Sequence, residues 1–201
     1  MIIIGITGII GSGKTTTSNI LRKKGLRVVD LDSIAKKAVL LEDVQHEIAS
    51  KLGAEYIEDG KLSTSRLQQT VFSDKNKLQV LESIIHPRVI EKLAKEIEAA
   101  KQNGRRSILV DAPLLFETDL YTKVDKIIVV STTMERVRER LKQRGHTDED
   151  ITNRILNQIP LREKEKKADV VLFNNGSRED LERDIEGLLR RIKEWEVVDA
   201  S

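Results

Sequence analysis

The 201-residue chain has no cysteine, which removes disulfides, metal–thiolate sites and a cysteine nucleophile from consideration and fits a reducing compartment. Neither sign of charge dominates. The 35 basic side chains stand against 33 acidic ones, a formal net charge of +2, which argues against a dedicated nucleic-acid binder. No apolar run approaches the ~20 residues of a membrane span, and the apolar N-terminus lacks the basic leader of a signal peptide. A cytoplasmic protein with no membrane or nucleic-acid partner is expected. Internal repeats and low-complexity tracts are also missing. Aromatic residues supply only 3%, against 39% hydrophobic and 34% charged residues, the balance of a charge-rich globular protein. The length suits one good core with room for an inserted subdomain.

What is present begins with Thr7-Gly8-Ile9-Ile10-Gly11-Ser12-Gly13-Lys14-Thr15-Thr16. It fills every defined position of G-x-x-x-x-G-K-[ST] through Gly8, Gly13, Lys14 and Thr15. A short apolar run, Ile2 to Ile6, precedes it and reads as a buried strand; Thr15 to about Lys24 reads as a helix. That strand–loop–helix setting is what the motif requires. Glycines bring backbone N–H groups close to a phosphate, and the helix N-terminus adds unpaired N–H groups and the positive end of a dipole. Lys14 supplies a mobile positive charge, and the Thr15 hydroxyl is placed to ligate Mg²⁺. Gly11, Ser12, Gly13, Lys14, Thr15 and Thr16 are therefore the candidate nucleotide-phosphate contacts.

Arg27 to Asp32 reads as a second strand ending in two carboxylates. Asp30 and Asp32 would share one face of it, at the strand end where α/β folds bind ligands; alternatively, one of them N-caps a helix starting near Ser33. From Ser33 to about Gln102 no strand is evident and helical periodicity dominates, with turns at Gly53 and Asp59-Gly60. Pro87 is expected to open a new helix, and His86 beside it suits a structural or a chemical role.

Ser107 to Asp111 is the third strand, and Asp111 at its end is the candidate for the Mg²⁺ shell, partly through water. The loop that follows carries the unusual apolar run Leu114-Leu115-Phe116 before Glu117. Lys126 to Val130 is the fourth strand. On the helix from about Thr133 to Arg144, the residues Arg136, Arg140 and Arg144 form one stripe, suited to polyphosphate or equally to a solvated face paired with Glu135 and Glu139. Capping boxes are expected at Thr147–Asp150 and Ser177–Asp180. Between them lie a basic segment (Arg162, Lys164, Lys166, Lys167), a fifth strand from Asp169 to Phe173, and the turn Asn174-Asn175-Gly176. A last helix runs to about Trp195, and the final residues are expected to fray. The pattern is α/β: a five-stranded, parallel, doubly wound sheet with a long helical insertion and an arginine-bearing helical lid.

Several stretches together resemble the dephospho-coenzyme A kinase family: the phosphate loop, Asp30-x-Asp32-x-x-Ala35, Val71-Phe72, Ile85-His86-Pro87, Asp111-x-Pro113-Leu114-Leu115-Phe116-Glu117 and Arg140-Leu141-x-x-Arg144. Arg154-Ile155, Gln158-x-Pro160, Lys164, Ala168-Asp169 and Asn174-x-Gly176 follow in the same order. The resemblance implies a P-loop kinase domain with a core (about 1–32, 105–132 and 168–201), an acceptor-binding insertion (about 33–104) and a lid (about 133–167). It implies ATP and Mg²⁺, with transfer of the γ-phosphoryl group to the ribose 3′-hydroxyl of dephospho-coenzyme A, by a monomer or weak homo-oligomer. Asp32, Lys14 and Arg140 would be catalytic. Arg144, Asn174 and Gly176 would join the loop in binding ATP; His86, Pro113 and Leu114 would join Asp32 at the acceptor. Another P-loop small-molecule or nucleoside monophosphate kinase, or a non-catalytic nucleotide switch, would share the loop but not the middle-chain motifs. Three positions depart from the family pattern: Ile9 replaces a second glycine, Phe173 a polar residue, and Thr64 an arginine, with Arg66 two residues further on.

Overall fold

In the computed structural model, which describes residues 1–58, 61–71 and 74–199, the first strand β1 (Ile2–Thr7) sits at the centre of a five-stranded sheet. Its neighbours are β5 (Ser107–Asp111) on one side and β6 (Lys126–Ser131) on the other. The short β2 (Val28–Asp30) lies outside β5 and β7 (Val170–Phe173) outside β6, giving the order β2-β5-β1-β6-β7. Every pairing is parallel. Such strands are covered on both faces and so read as continuous apolar runs; all five residues of β5 are buried. Ile2, Ile4 and Ile6 share one cluster with Ile20 and Leu21 of α1 (Lys14–Lys23) and with Leu181, Ile185, Leu188, Ile192 and Trp195 of α9 (Arg178–Val198). Complete burial of side chains such as Ile4 and Ile6 is worth roughly 2 kcal/mol each.

The chain divides into two compact units, Met1–Asp30 with Glu98–Ser201, and Leu31–Ile97. Between β6 and β7 the first unit carries α6 (Met134–Gln143), α7 (Asp148–Leu156) and α8 (Leu161–Lys166). The Ser177–Asp180 capping box is present in both directions. At Thr147 only half of the expected box forms. The hydroxyl accepts the Asp150 amide, while the Asp150 carboxylate is taken by His146 (2.5 Å) and Arg154 (2.8 Å).

The second unit holds α2 (Leu31–Ala38), α3 (Glu42–Leu52), α4 (Thr64–Val71) and most of α5 (Lys75–Gln102). Three expectations are corrected here. The second strand stops at Asp30, so Asp32 lies in the first turn of α2 and does not share a strand face with Asp30. The region is not wholly helical: β3 (Ile57–Glu58) and β4 (Lys61–Leu62) pair antiparallel, each too short for a two-residue period to show. Arg66 secures this hairpin, donating to the Glu55 carbonyl (3.0 Å) and pairing with Glu58 (2.6 Å). Pro87 does not start a helix; it lies within the single 28-residue α5. Proline has no amide to offer the Ser83 carbonyl, a loss that ordinarily costs a helix interior about 3 kcal/mol, but Ile84, Ile85, Val89 and Leu93 are buried before and after it, and continuing the helix keeps them in period. The Asp59-Gly60 turn, Phe72 and the fraying expected at Ala200 and Ser201 fall outside the described residues.

Candidate active site

The loop from Gly8 to Gly13 leaves the C-terminal end of β1, where the strand order reverses and an open α/β sheet offers a crevice for ligand. Gly13 caps α1 with φ of 100°, and a Cβ there would lie 1.9 Å from the Asn174 side-chain nitrogen. At Gly8 a Cβ would meet the Ser12 hydroxyl at 2.5 Å and the Val130 carbonyl at 2.6 Å. Only glycine fits either place. By helix geometry the amides of Lys14, Thr15 and Thr16 have no intrahelical acceptor, and they mark the positive end of α1; the Thr15 and Thr16 side chains are exposed there.

Ile9, which follows Gly8 in the loop, is buried. Its side chain is 4% exposed and packs with Val137, Leu141 and Ile151 of α6 and α7, while its carbonyl accepts the Ser12 amide at 3.1 Å. The missing glycine is thus a hydrophobic peg into the base of the helices that follow β6.

Lys14 pairs with the buried carboxylate of Asp111 at the end of β5. Ile6 and Asp30 are both in register with Asp111, so β2 and β5 end level and β1 runs one residue further. Arg140 lies against the carbonyl side of the loop, donating to Gly11 (3.2 Å), Ser12 (3.1 Å) and Asn174 (2.9 Å). Desolvation pushes its guanidinium pKa down, and the nearby charges of Arg136 and Arg144 add to the shift. Asn174 is buried and donates its side-chain N–H to the Ser12 carbonyl at 2.8 Å. A pocket of about 270 Å³ opens beside these groups, lined by Gly13, Thr16, Arg140, Arg144, Asn174 and Gly176. Ser177, Arg178 and Leu181 line it too and were not anticipated; their signal was the capping box directly after Asn174-x-Gly176. On the other side of α6, Arg138 and Lys142 pair with Asp148, Lys142 at 3.0 Å.

The Pro113 carbonyl accepts from the Thr7 hydroxyl (3.0 Å) and from Lys164 (3.3 Å), while Leu114 is 44% exposed between this anchor and buried Leu115 and Phe116. Asp32 and His86 belong to the second unit, both exposed, His86 in the middle of α5. Phe173 is exposed at the end of β7, and Thr64 opens α4. Lys164 was the least legible residue: set in a basic segment, it is fully buried, pairing with Glu117 at 2.8 Å. Its signal was Glu117, a charge at the end of an apolar run.

A phosphate loop at the reversal point of an all-parallel sheet, with an arginine helix gripping its carbonyls, defines a P-loop kinase. The match to known proteins narrows that class. The dephospho-CoA kinase family model matches residues 2–180, and the chain belongs to that family. It is 37% identical to the dephospho-CoA kinase of Geobacillus kaustophilus over 98% of both chains. A crystal structure from Thermus thermophilus superposes with a TM-score of 0.83 at 37% identity, covering 94% of this chain and 97% of that one. Dephospho-CoA kinase from Campylobacter jejuni gives 0.72 at 27% identity, covering 94% and 96%. Among the described residues no helix is long and apolar enough to cross a membrane.

Mg²⁺ suits the donors present. Mg²⁺ usually binds through one or two carboxylates, waters and substrate phosphates rather than in an all-protein cage. The Thr15 hydroxyl and the Asp111 carboxylate offer hard oxygens at the phosphate loop.

Proposed function

We propose that the protein transfers the γ-phosphoryl group of ATP to the ribose 3′-hydroxyl of dephospho-coenzyme A. The observation that carries this is the phosphate loop whose Lys14 is held by Asp111 at the end of β5. It is supported by family membership and by the adjoining pocket, whose size suits a nucleobase and its sugar. Lys14 and the first amides of α1 hold the β- and γ-phosphates, and Arg144, Asn174 and Gly176 border the adenosine. Asp32 accepts the proton of the 3′-hydroxyl as its oxygen attacks the γ-phosphorus. The bond to the β,γ-bridging oxygen breaks, and ADP leaves with that electron pair. Arg140 holds the loop rigid and places positive charge beside it. His86, Pro113 and Leu114 contribute to the acceptor side. Thr15, and Asp111 through water, would hold Mg²⁺, which when bound with ATP neutralises charge on the phosphate oxygens.

ADP release is measured with dephospho-coenzyme A and with a panel of nucleoside monophosphates and small alcohols. Turnover with dephospho-coenzyme A far above the rest is expected; no turnover with it would overturn the reading.

A further inference from the structure

Three segments far apart in the chain meet in one polar network beside the phosphate loop. The Gln158 side-chain carbonyl accepts the Ile10 amide at 2.9 Å. One residue on, the Ile159 amide donates to Glu117 Oε1 at 3.0 Å, and the same oxygen takes the buried Lys164 ammonium at 2.8 Å. Lys164 also reaches the Pro113 carbonyl, which accepts the Thr7 hydroxyl at the end of β1. The circuit returns to the strand that carries the phosphate loop. Further along α8, Glu165 accepts the Ser131 hydroxyl of β6 at 2.5 Å.

A charge without solvent exposure needs a reason, because burying an ion pair costs several kcal/mol per ion unless its geometry is well satisfied. Here a single carboxylate oxygen serves both donors, and Glu117 Oε2 is buried with no partner among the described residues. Stability alone would be served as well by apolar residues. What the pair does achieve is to fix the strap from Gln158 to Lys164 against the loop after β5, with Gln158 aimed at Ile10.

We propose that Gln158 is a positioning residue for ATP, and that Glu117 and Lys164 hold it in place. The Ser12 amide is already bonded to the Ile9 carbonyl. With the Ile10 amide held by Gln158, two of the loop's own N–H groups have a fixed partner. Arg140 and Asn174 hold the carbonyls of its second half. The loop therefore meets the phosphates preorganised, without first having to order its backbone. The proposal rests on ATP being the donor but not on the identity of the acceptor.

The test is direct calorimetric titration of the full chain with Mg·ATP, which needs no turnover. Gln158→Leu, close in size but without an acceptor, should bind about three- to tenfold more weakly, the scale of one hydrogen bond. The KM for dephospho-coenzyme A should stay unchanged, and Gln158→Glu, which keeps an acceptor, should recover part of the loss. Glu117→Ala should weaken ATP binding similarly. Glu117→Gln should do so less, because its amide oxygen can serve both donors while its nitrogen takes the place of the unpartnered Oε2. A merely structural role would lower the melting temperature and the active fraction while leaving the Kd of the folded protein unchanged. Wild-type affinity in Gln158→Leu overturns the proposal, whether or not Glu117→Ala folds. Absence of wild-type turnover with dephospho-coenzyme A would count against the assigned acceptor and leave this titration readable.

Discussion

Asp32 is the residue on which chemistry and binding can be separated. An aspartate that takes the proton of the attacking hydroxyl matters in the transition state and little in the complex with ATP. Asp32→Asn is expected to cut kcat by ~10² or more while the calorimetric Kd for Mg·ATP stays within experimental scatter; full activity would remove the residue from the mechanism. Its place also shows the limit of reading sites from sequence. The phosphate loop was legible because its glycines, lysine and threonine act through local backbone geometry. The place of Asp111 at a strand end was legible because the run before it is apolar. Asp32 was read as a strand residue sharing a face with Asp30, whereas it opens a helix; a β-to-α switch within three residues leaves no period to detect. Lys164 was illegible for another reason, since spacing says nothing of whether a charge will meet a carboxylate 47 positions away, and burial follows from that meeting.

Elements were legible where one period ran long enough. All five sheet strands were placed within a few residues, because parallel strands buried on both faces are unbroken apolar runs. The β3–β4 hairpin was missed because two residues per strand carry no pattern. The continuity of α5 through Pro87 was missed because a local rule about proline was overridden by burial on both sides of it. Helix starts were more reliable, and the capping box of α9 yields a test. The Asp180 carboxyl accepts the Ser177 amide at 2.8 Å. That backbone hydrogen bond, then the Ser177 hydroxyl, lowers its pKa below the ordinary 3.8, with Arg183 nearby adding to the effect. A carboxylate with a depressed folded pKa contributes stability above its unfolded pKa and loses it as the pH falls through the lower folded value. Wild type should therefore melt above Asp180→Asn near neutral pH, with the gap closing below about pH 4. Because the site is exposed the gap will be small, and a gap that stays constant down to low pH would show that the box does not act through charge.

At the scale of the whole molecule, each of the two units buries apolar residues of its own, and the two are expected to carry separate substrates. The first buries its sheet under α1 and α9; in the second, Val44, Ile48, Tyr56, Leu67 and Val71 are buried. Among the described elements only α5 straddles the division, contributing its length up to Ile97 to one unit and its last turn to the other. Ligand that binds only the folded form of a unit stabilises that unit by mass action, about 2.7 kcal/mol at a hundredfold excess over Kd. That corresponds to roughly a hundredfold slowing of amide exchange where exchange requires the unit to open. Mg·ATP alone should therefore slow exchange from Gly8 to Thr17 and around Asn174 to Leu181, and leave α3 and α4 close to their unliganded rates. Dephospho-coenzyme A should slow exchange within Leu31–Ile97, including the first turn of α2 that carries Asp32. Equal slowing of both units by ATP would mean that they open as one body through α5. No response of Leu31–Ile97 to dephospho-coenzyme A would move the acceptor, and with it the role of His86, out of the second unit.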